Sequence, residues 1–152
     1  MKTILVIDDE QDVYEFVRAV FANHPEYRVL GATRALQGLE LAHSLRPDVI
    51  LLDFLLPGIS GVKLLQRLGD WPSTAHIPVL LMSGMGASEP LFRHLAFDAA
   101  GYLIKPFSAI ELTRKIDGLF DRRAASQPRR SDVTPANTAG IGYQRIGRRD
   151  LD

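Results

Sequence analysis

Short apolar runs alternate with amphipathic stretches along the first 120 residues of the chain. Five runs of five residues each predict β-strands, at residues 3–7, 27–31, 48–52, 78–82 and 100–104. Between them, apolar side chains recur three and four positions apart, as on one face of a helix. The longest such stripe predicts a core-facing helix and consists of Val13, Phe16, Val17, Val20 and Phe21.

Further helical stripes complete a regular alternation of strand and helix. Shorter stripes begin at Leu36 and at Leu64, and a last helix is announced by Ser108 and Glu111, whose spacing is that of a capping box. Strands that are apolar on both faces and alternate with helices predict a parallel sheet, because right-handed crossovers cover both of its faces with helices. The predicted fold class is therefore α/β, with five βα units forming a doubly wound sheet.

Composition limits the classes of protein that this pattern can represent. The chain has 152 residues, enough for one well-buried core, with 46% hydrophobic and 24% charged residues and a net charge of zero. It has no cysteine, which excludes disulfides and cysteine-ligated metal sites. The apolar run Ile4–Ile7 is too short for a signal peptide or a membrane span, so we expect a cytoplasmic protein without membrane insertion.

Charge divides the chain near residue 120. Residues 1–120 hold 11 Lys and Arg against 14 Asp and Glu, a net charge of −3, whereas residues 121–152 hold 7 against 4, a net charge of +3. The later segment sets pairs of arginines among Ser, Pro, Gly, Thr and Asn without a sustained apolar period. We therefore predict one domain over residues 1–121 and a basic, disordered tail over residues 122–152, and we do not expect the tail to bind nucleic acid.

Polar residues follow four of the predicted strands. The first strand ends in Asp8 and Asp9, the third in Asp53, the fourth in Ser83 and the fifth in Lys105. In open α/β sheets, ligands bind beyond the carboxyl ends of the strands, where these side chains would converge. The sequence therefore predicts a polar site at this edge of the sheet.

The residue types at this edge indicate phosphoryl chemistry with a divalent cation. Three carboxylates close together repel, and a bound cation compensates their charge. Mg²⁺ fits best, because it prefers oxygen ligands and is usually held by one or two carboxylates together with phosphate oxygens. An aspartate beside such an ion can act as a nucleophile toward phosphorus. Lys105 would then neutralise charge on the transferring group, and the Ser83 hydroxyl would donate a hydrogen bond to it.

The same residues resemble the signature of the response-regulator receiver family. The resemblance covers residues 2–120 and rests on Ile4–Glu10, on Pro47–Asp53 with Leu56-Pro57-Gly58 and Gly61, on Ser83, and on Tyr102–Phe107. It implies a flavodoxin-like fold with strand order 2-1-3-4-5. It also implies a protein of two-component signalling, here of the stand-alone single-domain type, that is not an enzyme beyond its own phosphorylation and dephosphorylation.

The resemblance implies a role for each matching position. Asp53 would accept the phosphoryl group, and Asp8 and Asp9, one of them through water, would hold Mg²⁺ with Asp53 and the backbone carbonyl of Leu55. Ser83 and Lys105 would bind the phosphoryl group. Tyr102 would be an aromatic switch whose ring turns inward when Ser83 moves toward the phosphate. Pro106 commonly follows a cis peptide bond in this family.

One position departs from the family pattern, and two others are positions that tune its chemistry. Asp98 stands four residues before Tyr102, where many relatives have glycine. Leu55 and Met85, two residues beyond Asp53 and Ser83, are apolar and offer no group to orient an attacking water. We therefore expect the phosphoryl group to last longer than in fast chemotaxis-type regulators.

The expected partners follow from the same resemblance. A sensor histidine kinase or a histidine phosphotransfer protein would supply the phosphoryl group. With about 30 residues after the domain, the output would be a changed surface offered to another, unidentified protein, or transfer of the phosphoryl group onward, and the sequence leaves both open. Candidate surfaces are the segments at 92–97 and 102–110, through which a homodimer is also left open.

Three other classes share part of the pattern. A haloacid-dehalogenase-like phosphatase would need a second aspartate at position 55, which is Leu55. A flavodoxin-type electron carrier would place a flavin phosphate beside Asp8, Asp9 and Glu10, which would repel it. A pseudo-receiver that binds partners without phosphorylation is the remaining alternative, although such a module would normally have lost one of the acidic or lysine groups, all of which are retained here.

Overall fold

The computed structural model describes residues 1–84, residue 94 and residues 99–126. Its strands are β1 (Lys2–Ile7), β2 (Tyr27–Ala32), β3 (Val49–Asp53), β4 (Val79–Ser83) and β5 (Gly101–Ile104). Its helices are α1 (Gln11–Val20), α2 (Ala35–Leu45), α3 (Gly61–Asp70) and α4 (Ala109–Ser126). Each predicted strand is present, with its ends shifted by at most one residue, because the buried apolar runs themselves define the strands.

The sheet is parallel throughout and has the order β2-β1-β3-β4-β5, as the sequence predicted. Leu52 pairs with Ile7 on one side and with Leu81 on the other, so the central strands end close to the same level. Every residue of β3 and β4 is buried, which is the pattern of strands covered on both faces. The register therefore brings the residue that follows β1 and the last residues of β3 and β4 to one edge.

Two apolar layers cover the sheet. One contains Leu5, Ile50 and Leu81 and packs against α2 and α3, while the other contains Ile4, Leu51 and Met82 and packs against α1 and α4. Successive strand residues alternate between the two layers, as the pleat requires. Helices on both faces confirm the doubly wound architecture.

The buried face of α2 differs from the predicted one. Leu36 is 59% exposed, whereas Ala35, Gly38 and Ala42 are buried. The helix lies so close to the sheet that a Cβ at Gly38 would come within 2.6 Å of Ile7 Cδ1. The apolar stripe predicted from Leu36 is therefore wrong at that residue, because small side chains allow the close approach.

Two helices begin at serine caps. Ser60 Oγ accepts a hydrogen bond from the Lys63 N–H at the start of α3, and Ser108 Oγ accepts one from the Glu111 N–H at the start of α4. Each cap satisfies a backbone donor that has no partner within the helix. The second confirms that the last helix begins at the predicted serine.

Side-chain contacts hold the last helix against the amino ends of the strands, opposite the predicted site. Lys2 Nζ lies 4.2 Å from the centroid of the Phe120 ring, and the Tyr27 hydroxyl donates to Asp117 Oδ1 at 3.4 Å. Arg123 Nη1 donates to the Asp48 carbonyl at 3.1 Å. These contacts join α4 to the strands beyond the apolar core.

Helix α4 continues to Ser126, so residues 122–126, which were assigned to the tail, are helical. The described residues do not include 127–152, the helix expected after β4, Met85, Asp98 or, apart from His94, the candidate surface at 92–97. The predictions made for these parts of the chain stay predictions. Among the described helices, none has both the length and the apolar character needed to cross a membrane.

Candidate functional site

The strand ends bring the predicted polar residues to one edge of the sheet. Asp8 directly follows β1, and its N–H donates to the Ala32 carbonyl at 3.0 Å, while Asp53 and Ser83 are the last residues of β3 and β4. Lys105 directly follows β5, and its N–H donates to the Ser83 carbonyl at 2.7 Å. Backbone pairing that continues past the strands thus holds the bases of these side chains in place.

Three carboxylates form the acidic part of the site. Asp8, Asp9 and Asp53 each offer an oxygen atom, and these oxygens lie within 4.8 Å of one another. Asp8 is 2% and Asp53 5% exposed, whereas Asp9 is exposed. Backbone hydrogen bonds orient the two buried carboxylates. The Glu10 N–H donates to Asp8 Oδ1 at 2.9 Å, and the Leu55 N–H donates to Asp53 Oδ1 at 3.3 Å. An all-oxygen donor set of this size and charge fits Mg²⁺.

Lys105 is the cation that these carboxylates share. Its Nζ lies 2.7 Å from Asp8 Oδ2 and 3.6 Å from Asp53 Oδ1. Burial alone would lower the pKa of Lys105, but the hydrogen bond to Asp8 and the nearby negative charges outweigh it and raise that pKa above its ordinary value. The lysine therefore stays an ammonium that offsets part of the negative charge.

Glu10 is a further partner of Lys105 that the sequence reasoning did not assign. Its Oε1 lies 3.6 Å from Lys105 Nζ, and its side chain is 66% exposed. A third acidic residue in the run Asp8-Asp9-Glu10 was the available signal. The contact could not be inferred from it, because the two residues are 95 positions apart and meet only once the sheet has formed.

The surroundings of Asp53 change the pKa of its side chain. Burial, followed by repulsion from Asp8, raises the pKa of Asp53 from 3.8 to about 6, although Lys105 and the Leu55 N–H both act to lower it. Lys105 offsets only part of the negative charge of the buried Asp53 carboxylate, so the site favours the binding of a further cation. The raised pKa of Asp53 and the set of oxygen ligands therefore both favour a bound cation at this site.

Ser83 and Tyr102 lie on neighbouring strands. Ser83 is 1% exposed and pairs in register with Ile104, while Tyr102 pairs with Leu81 and is 38% exposed. Residues two apart in a strand point to the same face, so both side chains lie on the same face of the sheet. Their placement fits the predicted coupling without testing it.

An apolar recess of about 720 Å³ opens beside the carboxylates. Its walls combine Asp53 and Lys105 with apolar side chains, among them Val13, Phe16 and Phe107. Phe16 is 38% exposed and packs edge-on against Phe107, with 5.8 Å between the ring centroids. The prediction that Phe16 faces the core is therefore wrong, since its ring lines the recess. The peptide bond between Lys105 and Pro106 is cis, as the resemblance implied.

Comparison with known proteins assigns the family. The family model described as the response regulator receiver domain matches residues 4–117, three quarters of the chain, which include every residue of the site described above. The chain belongs to the response-regulator receiver family. It is thus a receiver domain of two-component phosphorelay signalling, and its five-stranded parallel fold agrees with that assignment.

Relatives of this receiver domain occur within larger proteins. It is 35% identical to the phosphate regulon transcriptional regulatory protein PhoB of Pseudomonas aeruginosa over 121 residues, which are 80% of this chain and 52% of that protein. It is 28% identical to the sensor histidine kinase TmoS of Ectopseudomonas mendocina, over 86% of this chain and 13% of the kinase. The chain spans about half the length of the first of these relatives and a smaller share of the second.

A solved structure supports the same fold. The receiver domain of Francisella response regulator 1452 superposes with a TM-score of 0.71 at 27% identity, covering 81% of this chain and 99% of that one. Nearly all of that receiver domain thus has a counterpart here. The family and fold predicted from the sequence are confirmed.

Proposed function

We propose that this receiver domain accepts a phosphoryl group on Asp53, in a Mg²⁺-dependent reaction, from a phosphohistidine of a sensor kinase or a phosphotransfer protein. The observation that carries the proposal is a buried carboxylate with a raised pKa, set beside two further carboxylates and a shared ammonium. Receiver domains are signalling modules and in general not enzymes. This one would catalyse only its own phosphorylation and dephosphorylation.

The residues at the sheet edge fit the cation. Asp8, Asp9 and Asp53 would hold Mg²⁺, together with the backbone carbonyl of Leu55. The bound ion would supply positive charge to the phosphoryl oxygens and offset the repulsion among the carboxylates. With a pKa of about 6, Asp53 is already mostly ionised at neutral pH, and the bound ion would favour the anion further, so that it would be ready to act as a nucleophile.

The transfer step is a displacement at phosphorus. A carboxylate oxygen of Asp53 forms a bond to phosphorus as the bond between phosphorus and the imidazole nitrogen of the donor breaks. When the other imidazole nitrogen carries a proton, the imidazole leaves as a neutral group, and the negative charge of Asp53 passes to the acyl phosphate. No other co-reactant is required.

Lys105 and Ser83 would bind the transferred group. The ammonium of Lys105 lies 3.6 Å from Asp53 Oδ1, close enough that it would pair with an oxygen of a phosphoryl group on Asp53. Ser83, at the end of the neighbouring strand, would donate its hydroxyl proton to a second phosphoryl oxygen. Fixed donors aimed at a transferring phosphoryl group stabilise the charge that it carries.

The recess beside the site supports a protein as phosphodonor. The exposed ring of Phe16 and its partner Phe107 form an apolar wall next to Asp53. Such a wall can seat the apolar side chains around a donor histidine and exclude water from the transfer. A phosphorylated domain would then offer a changed surface to a downstream protein through Ser83 and Tyr102, or pass the group onward.

Intact-mass measurement tests the proposal. The protein is incubated with Mg²⁺ and phosphoramidate, and Asp53→Asn and Asp70→Asn are treated in parallel, the latter an exposed carboxylate at the end of α3. We expect wild type and Asp70→Asn to gain one phosphoryl group that hydroxylamine removes, and Asp53→Asn to gain none. Chelation of Mg²⁺ should abolish the gain.

Failure of this labelling would refute the proposal. If neither phosphoramidate nor purified phosphorylated histidine domains modified Asp53, the pseudo-receiver would become the better description, and binding assays on the unmodified domain would follow.

The cytoplasmic location stays a prediction from the sequence.

A further inference from the structure

The ring of Tyr102 has a cation beside it. Tyr102 lies on β5, at the edge of the sheet, and is 38% exposed. Lys115 is an exposed residue of α4, and its Nζ lies 5.3 Å from the centroid of the Tyr102 ring. This distance is within the range of a cation–π interaction, in which the ammonium is attracted to the negative face of the ring. The proposed phosphoryl chemistry makes no use of Lys115.

The contact borders a shallow groove between the edge strand and the last helix. The groove has a volume of about 360 Å³, and its walls include Tyr102, Ile104, Glu111, Arg114 and Lys115. Because the Tyr102 ring is more than one third exposed, turning it inward, as the resemblance implies, would remove apolar area from water. An attraction at the outer position opposes that tendency.

We infer that Lys115 is a positioning residue that holds the Tyr102 ring at its outer position and thereby favours the unphosphorylated conformation of the domain. The ammonium lies beside the ring in its present, partly exposed position. A ring turned inward, as the resemblance implies for Tyr102, would leave this contact, so the contact would stabilise the outer position and not the inner one. A group with such a differential interaction shifts the equilibrium between two states.

The size of the effect follows from the strength of an exposed cation–π contact. Removing the cation should raise the population of the inner ring position about two- to fivefold relative to the outer one. The second consequence rests on the proposed function. If the inner position is the one that accompanies phosphorylation, the same change should speed phosphorylation by a small donor, by at most the same factor.

Fluorine NMR of protein labelled with 3-fluorotyrosine tests the ring position directly. The Tyr102 resonance is assigned by its loss in Tyr102→Phe, and its exposure is measured with a soluble paramagnetic agent. Lys115→Gln removes the charge and keeps much of the stem, Lys115→Arg keeps a cation, and Arg114→Ala removes a neighbouring charge in the same groove. We expect lower ring exposure in Lys115→Gln and exposure like that of the wild type in the other two.

Two results would overturn the inference. One is a Tyr102 resonance that is unchanged in Lys115→Gln, and the other is an equal change in Arg114→Ala, which would indicate bulk charge and not a contact with the ring. Lys115→Arg should restore the wild-type resonance, which a merely structural role for the lysine stem would not require.

The same variants separate this inference from the proposed function. The ring measurement is made on unphosphorylated protein and repeated in Asp53→Asn, so it needs no phosphoryl transfer. A shifted ring in a protein that phosphoramidate fails to modify would support the role of Lys115 and count against the phosphoacceptor proposal. Normal labelling of Asp53 with an unshifted ring would do the reverse.

Discussion

Replacing Asp53 by Asn should stabilise the unmodified domain at pH 8, and the gain should shrink as the pH falls below 6. Burial and repulsion from Asp8 raise the pKa of Asp53 from 3.8 to about 6. A raised carboxyl pKa contributes stability that is fully present below pH 3.8 and is lost as the pH rises through 6. Above pH 6, the folded protein therefore carries the full cost of an ionised Asp53, and asparagine removes it.

The magnitude follows from the shift in pKa. A rise from 3.8 to about 6 corresponds to about 3 kcal/mol of unfolding free energy at pH 8. The loss of attraction between Asp53 and Lys105 is already contained in this net value. Because Asp53 and Asp8 interact strongly, we expect a gain of about 1–3 kcal/mol, which is an increase in Tm of about 3–9 °C for a chain of this size.

Urea denaturation followed by circular dichroism at pH 8, 7, 6 and 5, with a chelator present, measures this gain. Asp70→Asn, at an exposed position, should change the unfolding free energy by no more than about 0.5 kcal/mol. Added Mg²⁺ should stabilise the wild type more than Asp53→Asn, because the ion binds the folded carboxylate cluster. An Asp53→Asn protein that is no more stable than the wild type at pH 8 without metal would refute the electrostatic reasoning.

The remaining predictions concern the surroundings of Asp53. Lys105→Met should lower the unfolding free energy by about 2–4 kcal/mol in urea denaturation, because buried carboxylates lose their shared cation; a loss below about 0.5 kcal/mol would contradict this. Leu55→Asn should speed loss of the phosphoryl group about fivefold, since one hydrogen bond to the attacking water contributes about 1 kcal/mol; the decay is followed by intact mass, and a wild-type half-life of seconds would argue against slow hydrolysis. Gly61→Ala should lower the unfolding free energy by about 2–3 kcal/mol, because a Cβ there would lie 2.5 Å from the Asp53 carbonyl oxygen. Gly69→Ala, in the same helix with open space around it, should raise the unfolding free energy by about 0.5–1 kcal/mol; equal effects of the two glycine variants would rule out the close approach.

Features set by local pattern were predictable from the sequence. The strands could be located because each is a short apolar run, and the start of α4 because Ser108 and Glu111 have capping spacing. The meeting of Asp8, Asp53 and Lys105 was also predictable, since parallel strands end at a common edge. Periodicity and topology were sufficient for these features.

Features set by distances between elements were not predictable. The exposure of Leu36 depends on how closely α2 approaches the sheet, and that of Phe16 on the recess that forms around Phe107. The contact of Arg123 with the Asp48 carbonyl joins residues 75 positions apart. Helical spacing identifies an apolar face, but the depth to which that face is buried depends on which elements pack against it.

The contact between Lys2 and Phe120 marks a place at which this domain could be attached to other parts of an engineered sensor. The contact lies at the amino end of β1, and the six residues of that strand place it about 20 Å from the carboxylates. Met1 is 86% exposed there, so a fluorescent protein or a surface tether attached to the amino terminus would leave the recess open to a donor. A probe near Phe120 would serve as a fixed reference point, against which an optical reporter on Tyr102 could register the arrival of a signal.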